Sequence, residues 1–366
     1  MLSASRAHSF GTAVSGNSYD SVTALWREAC CLLRYFFGGS MSVMAWPSAP
    51  ATSPLLRQCG AALGDRVLRL QDEPLAILKA LYRLGSLVVT TFSSGSRISQ
   101  NMHYPALQDG ESGVPGEWWL ESVGERCRLR QSLQVGQWHS VLAVLEPTGA
   151  LPARSLVFFD RNGQPLQQMA VAPDSGGLAF EELVCAMLHP DQQTLNLPAV
   201  LPRSVAGDLG SLSQLERDWA SSTDDEDFAG LLQRCDQQRD VLYRSVRDSF
   251  ACQVRPETLP AVLAEAAVRD TVTTLCVGNQ GVRLCMTAPW SSPRWQGSHC
   301  HLAHNGALVS LDMAKMDSLW RLRKPGDGEV VTALEALDSR GQWLWTLSAG
   351  DEESQWRALL KDSVIR

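Results

Sequence analysis

The stretch Trp320 to Gln342 reads WRLRKPGDGEVVTALEAL and then DSRGQ, and its reading decides the fold. Trp320–Arg323 and Val330–Leu337 carry a strand pattern, and Gln342–Leu347 continues it. Between the last two lies Asp338-Ser-Arg-Gly341-Gln342, a turn in which glycine supplies a positive φ. The same arrangement stands 178 residues earlier. Residues 133–164 and 311–342 share Leu133/Leu311, Ser140/Ser318, Pro147/Pro325, Leu156/Leu334, Asp160/Asp338, Gly163/Gly341 and Gln164/Gln342, seven identities in 32 positions. The shared Asp-x-x-Gly-Gln falls at the turn between strands both times. So long a period excludes a solenoid and predicts domain duplication.

Working outward, Pro74–Leu84 has proline near its start and apolar residues at helical spacing, and Gly85 stops it. Strands are predicted at Ser86–Phe92, Glu117–Val123, Glu125–Leu133, Val141–Leu145, Ser155–Phe159 and Gln164–Ala172, with Asn162-Gly163 as a hairpin turn. Leu178–Leu188 reads as helix. After a Pro/Ser/Gly-bearing connector at 190–218, helices are predicted within 224–250 and 256–268. Strands then return at Thr271–Val277 and Val282–Thr287, and Glu352–Leu360 closes the chain as a helix. The expected fold is α+β, with two tandem repeats, each a large antiparallel sheet flanked by helices. The division is an N-terminal extension at 1–50, a first repeat at 51–190, connector and helices at 191–255, and a second repeat at 256–366.

With 366 residues, 45% hydrophobic and 19% charged, the chain has a globular composition. A net charge of −7 argues against nucleic acid as a partner. No apolar run is long enough to span a bilayer, so no membrane insertion is expected. Ala24–Phe37 is apolar but contains Arg27, Glu28 and Arg34, unlike a secretory core. Ten cysteines without a C-x-x-C pair read as reduced thiols in a cytoplasm. Dinucleotide, P-loop, nucleophile-elbow and HExxH motifs are all missing from the sequence.

The segment 320–342 resembles the C-terminal signature of the HemS/HmuS/ChuX-type family of haemin-degrading and haem-transport proteins. Gly278-Asn-Gln-Gly281 is similar to the family's Gly-Asn-Arg-Gly turn, Ser155–Gly163 to its first-copy hairpin, and Val67–Leu87 to the entry of that copy. The resemblance spans roughly 55–366. It implies two similar halves, with haem held between helices and sheet. It also implies a cytoplasmic haem-binding protein that serves haem trafficking or degradation and iron acquisition. A haem importer or a haem oxygenase is its expected partner. If the chain is an enzyme, the resemblance implies oxidative ring opening with iron release.

Site residues carried over from the resemblance are altered in several places. The family's axial histidine sits in Thr-Asp-x-His-x-Phe; here the segment is Thr223-Asp-Asp-Glu226-Asp-Phe228, with Glu226 at the ligand position. A carboxylate is a harder and weaker ligand for haem iron. Arg239 matches an arginine that faces a haem propionate, and Lys324 is a second such contact. The first-copy strand pair Thr-Arg-Asn…Val-His-Glu becomes Thr91-Phe92-Ser93…Ile98-Ser99-Gln100, its basic pair becomes Gln167-Gln168, and the second copy's histidine strand carries Met286. These losses favour the alternative of a divergent paralogue acting as an interaction or regulatory module. His103 is a candidate replacement ligand. His299-Cys-His301 places two imidazoles on one face of a strand, a candidate metal pair. Trp118, Trp119, Trp138, Trp290 and Trp295 could wall a flat ligand, although tryptophan also serves a core.

Overall fold

In the computed structural model, residues 53–364 are described except 108–116, 125, 174, 196–210, 223–224, 235–238, 326–329 and 351. The N-terminal extension and residues 326–329 therefore lie outside the described residues.

In chain order, the first half comprises α1 (Pro54–Gly60), β1 (Val67–Arg69), α2 (Pro74–Ala80), β2 (Ser86–Phe92), β3 (Ser96–His103), β4 (Glu117–Gly124), β5 (Cys127–Gln134), β6 (Trp138–Val144), β7 (Ser155–Asp160), β8 (Pro165–Val171) and α3 (Gly177–Ala186). Three helices follow: α4 (Leu212–Ser221), α5 (Asp225–Arg234) and α6 (Arg239–Ser245). The second half repeats the order with β9 (Ala251–Val254), α7 (Leu259–Val268), β10 (Val272–Gly278), β11 (Val282–Pro289), β12 (Arg294–Gln296), β13 (His299–His304), β14 (Ala307–Asp312), β15 (Ser318–Pro325), β16 (Val330–Leu337), β17 (Trp343–Ala349) and α8 (Glu353–Val364).

The strands form two antiparallel sheets, and each sheet draws on both halves. The first runs β1-β6-β7-β8-β2-β3-β14-β13-β12, and the second β4-β5-β11-β10-β17-β16-β15-β9. The halves thus exchange a hairpin: β4–β5 leaves the first half to pair with β11, and β13–β14 leaves the second to pair with β3. The cores follow the exchange. Against α2 and α3 the first sheet packs Leu87, Val89, Phe158 and Met169, joined by Trp118 and Leu133 from the second sheet. Against α7 and α8 the second sheet packs Leu275, Val277, Trp345 and Leu347, joined by Val309 and Leu311 from the first. Helix α7 buries Leu259, Val262, Leu263 and Ala266, one stripe at helical spacing.

The hairpin turns confirm the duplication atom by atom. Asp160 Oδ1 accepts the backbone N–H groups of Asn162 and Gln164, each at 2.8 Å; Asp338 Oδ1 accepts those of Arg340 and Gln342, each at 2.9 Å. Gly163 and Gly341 have φ of 71° and 72°, the left-handed region that glycine enters without a Cβ clash. Each hairpin also carries an irregularity at Phe158/Phe159 and Ala336/Leu337, positions again 178 apart. Losing a carboxylate that accepts two backbone donors costs about 1.5–3 kcal/mol. Asp160→Ala and Asp338→Ala are therefore expected to destabilise by that amount in urea unfolding. Asp160→Ala is the costlier, because Asp160 also accepts from Gln280.

One expectation, that of the reduced thiols, needs correction. Helices α5 and α6 fall within 224–250 as expected, and the short strand β9 follows them. β14 gives no alternating signal because both of its neighbours are strands and its Val309, Ser310 and Leu311 are all buried. The cysteines are not all reduced: Cys276 and Cys285 form a disulfide. They stand directly opposite across β10 and β11, a pairing set by strand register rather than by sequence spacing.

Candidate functional site

The outer faces of the two sheets, turned away from those cores, carry the polar chemistry. On the second sheet α4, α5 and α6 cover the outer face of β15 and its neighbours. Their apolar sides, with Leu215, Trp219, Phe228, Leu231 and Tyr243, pack on Trp320 and Leu322. Trp219 contacts Phe228, Tyr243 and Phe250 edge-on, and its indole N–H donates to the Arg323 carbonyl at 2.8 Å.

Beneath α6 lies a buried charge network. Arg239 Nη1 is 2.6 Å from Glu335 Oε1, and the Tyr243 hydroxyl donates to the same oxygen at 2.7 Å. The Thr346 hydroxyl donates to Glu335 Oε2 at 3.1 Å and accepts from the Trp343 indole at 2.8 Å. The Arg239 guanidinium also lies 5.6 Å from the centroid of the Trp343 ring. Arg239 is 8% exposed and Glu335 2%. Burial, reinforced by the Glu335 charge, pushes the Tyr243 hydroxyl well above the ordinary phenol range, so it donates as a neutral group. Arg239 therefore grips a carboxylate of its own chain. Lys324 is buried on the face of β15 that holds Trp320 and Leu322, so both expected propionate contacts fall on the helix-covered side.

On the first sheet α1 covers the outer face over β6 and β7, with Leu56 and Cys59 against Leu142, Val157 and Phe159, and the outer face over β8, β2 and β3 stays open. A groove of about 650 Å³ runs over β8, β2 and β3, with Val88, Thr90, Phe92 and Gln168 on its floor and the 145–154 loop as one wall. Arg97 and Arg154 bring positive charge to it, and Glu146 brings one negative group. Phe92 and Arg97 are direct cross-strand neighbours. Of the glutamines at the family's basic pair, Gln168 faces the groove. Gln167 turns inward, accepts from Gln131 and donates to Thr91 Oγ1 at 2.9 Å.

The remaining candidates scatter. Glu226 lies in the first turn of α5, and its side chain is outside the described residues. His103 is exposed at the far end of β3, six residues from Arg97, about 20 Å along an extended strand. His299 and His301 do share a face of β13, their rings stacked with centroids 6.2 Å apart. His301 also belongs to the cross-strand row Phe92–Arg97–Ser310–His301–Arg294. No third ligand joins the two histidines: among the described residues no group of three His, Cys, Asp or Glu side chains could hold a metal ion. Of the tryptophans, Trp118, Trp138 and Trp290 are buried, and Trp119 and Trp295 are exposed.

Glu335, Tyr243, Thr346, Arg97 and the groove were not singled out in the sequence. Glu335 did leave a signal. A lone carboxylate at a core position of an apolar strand needs a buried partner. Arg97 left none, because its neighbours in space come from other strands.

The chain is 24% identical over 301 residues to the hemin transport protein HmuS of Yersinia pestis, across 81% of this chain and 85% of HmuS. The heme degrading enzyme ChuS of Escherichia coli O157:H7 superposes with a TM-score of 0.71 at 22% identity, over 84% of this chain and 90% of ChuS. The heme-binding protein PhuS of Pseudomonas aeruginosa, in its apo form, also gives 0.71, at 21% identity over 92% of this chain and 97% of PhuS. No protein-family model matches the chain. Among the described residues no helix is long and apolar enough to cross a membrane. In sequence the chain is thus similar to HmuS, and in fold to ChuS and PhuS, while several site positions expected from the family resemblance are altered.

Proposed function

We propose that the chain is a cytoplasmic haem-binding protein serving haem trafficking or degradation and iron acquisition. The observation that carries this reading is the groove on the first sheet. Its volume lies within the range of roughly 300–1,000 Å³ common to cofactor sites. An apolar floor with Val88, Phe92 and Ala170, edged by Arg97 and Arg154, suits a flat macrocycle with two carboxylates. Relatives named for hemin transport, heme binding and heme degradation support the same reading.

Fit to the iron is poorer than fit to the ring. The groove lining contains no His, Cys, Met or Tyr, and the family's histidine position holds Glu226. When bound, haem supplies the iron and redox chemistry. The chain's residues bind and orient it: Phe92 against the ring, Arg97 and Arg154 towards the propionates. In the cell the protein would receive haem from an importer and either pass it to a haem oxygenase or open the ring itself.

A hemin titration followed in the Soret band tests the reading. Saturable binding is expected, weakened about tenfold by Arg97→Ala through loss of one charge-assisted contact. A spectrum identical to free hemin at stoichiometric ratios would overturn it. Loss of the bound Soret band with a reductant and oxygen would mark an enzyme rather than a carrier.

A further inference from the structure

We propose that a second cavity, where the two sheets meet, is a binding site for a soft monovalent cation of the Cu(I) class, ligated by Cys127, Met102 and Met286. It is a partly open pocket of about 190 Å³, lined from both halves of the chain, with Met102 and Gln100 on β3, Cys127 on β5 and Met286 on β11. Three sulfur side chains far apart in sequence border one void. Thiolate and thioether donors select Cu(I) over harder ions. The lining contains no carboxylate and no histidine, so Mg²⁺ and Ca²⁺ lack their charged ligands there and Zn²⁺ finds one usual ligand, Cys127, instead of three or four.

Simple packing is a weaker account of this arrangement. Met286 packs in the second core and Met102 against the first, as flexible methionine side chains do, yet both also border this open pocket. The Met102 sulfur is also turned towards a polar neighbour, accepting from Gln100 Nε2 at 3.5 Å. A further polar group waits nearby. His304 stands directly opposite the cavity-lining Ala307, and its Nε2 is buried with no hydrogen-bond partner.

The cavity also marks the axis of the duplication. Gly95-Ser-Arg97…Gln100 and Gly281-Val-Arg283…Met286 are equivalent strand entries, so Gln100 and Met286 occupy matching positions. Cys127 and Ala307 likewise follow matching hairpin turns. One site on the axis therefore takes its donors from both copies. Binding replaces the Cys127 S–H bond with a sulfur–copper bond and releases the proton to solvent.

The test is an anaerobic competition of the full-length protein against a chromogenic Cu(I) chelator. Wild-type protein and Cys185→Ser, which removes an exposed thiol elsewhere, are expected to hold one equivalent equally well. Met286→Leu and Cys127→Ser should each weaken that equivalent by at least about tenfold. Zinc should not compete. Equal Cu(I) retention by wild type, Met286→Leu and Cys127→Ser would overturn the proposal. Should Cys127→Ser fail to fold, Met102→Leu and Met286→Leu decide, since both nearly conserve volume. Hemin plays no part in the measurement, so its outcome is independent of the haem reading.

Discussion

Glu335→Ala is expected to destabilise the protein by about 3–5 kcal/mol, the cost of leaving one member of a buried ion pair without its partner. The substitution strips Arg239 of its carboxylate and takes the acceptor from the Tyr243 and Thr346 hydroxyls. Neither Arg239 nor Tyr243 can turn to water, because both side chains are buried on the sheet-facing side of α6. Urea unfolding should show a lower midpoint at an unchanged m-value. A double variant, Arg239→Met with Glu335→Leu, should be more stable than Glu335→Ala, since an apolar pair removes the desolvation problem from both sides. A single variant as stable as wild type would mean that the pair is hydrated in solution. The experiment also bears on ligand recognition. A haem propionate reaching Arg239 would have to displace Glu335.

Glu226→His carries the largest expected functional effect. It places imidazole at the position where the family resemblance puts the axial ligand, in the first turn of α5. Imidazole is a common haem-iron ligand and a carboxylate is not. If haem sits under α5 on the second sheet rather than in the first-sheet groove, hemin affinity should rise by at least about tenfold and the bound Soret band should take on a histidine-ligated form; haem held in the groove leaves both unchanged. Glu226→Gln separates ligation from charge: it removes the carboxylate without supplying a nitrogen, and should reproduce any gain due to charge alone. If Glu226→His and Glu226→Gln give the same spectrum and affinity, the α5 position does not face iron in this protein.

Local signals were readable in the sequence wherever one turn or helix contained its own cause. Asp160 and Asp338 bind amides two and four residues on, so the repeated turn was legible with no knowledge of the sheet. Helix α2 starts at Pro74 and the chain turns at Gly85, with φ of 75°, for equally local reasons. The hairpin exchange was not legible. Whether β5 pairs within its own half or beside β11 depends on contacts between residues some 150 positions apart. The Cys276–Cys285 bond shares that origin. The site divides along the same line. Arg239 and Lys324 were found because they match a family motif, whereas Arg97 and Phe92 acquire a groove only when β8, β2 and β3 lie side by side.

The exchanged hairpins also govern how the molecule is made. Strand β3 needs β14, which is synthesised roughly 200 residues later; at about 5–20 residues per second that is a wait of about 10–40 s. During that interval Ser96–Leu311 pairing is impossible, and the first sheet is left with an open edge on the ribosome. The chain thus has a high contact order, and its two copies mature as one cooperative event near the end of translation. A gene duplicated to make two units has yielded a polypeptide with only one moment of completion.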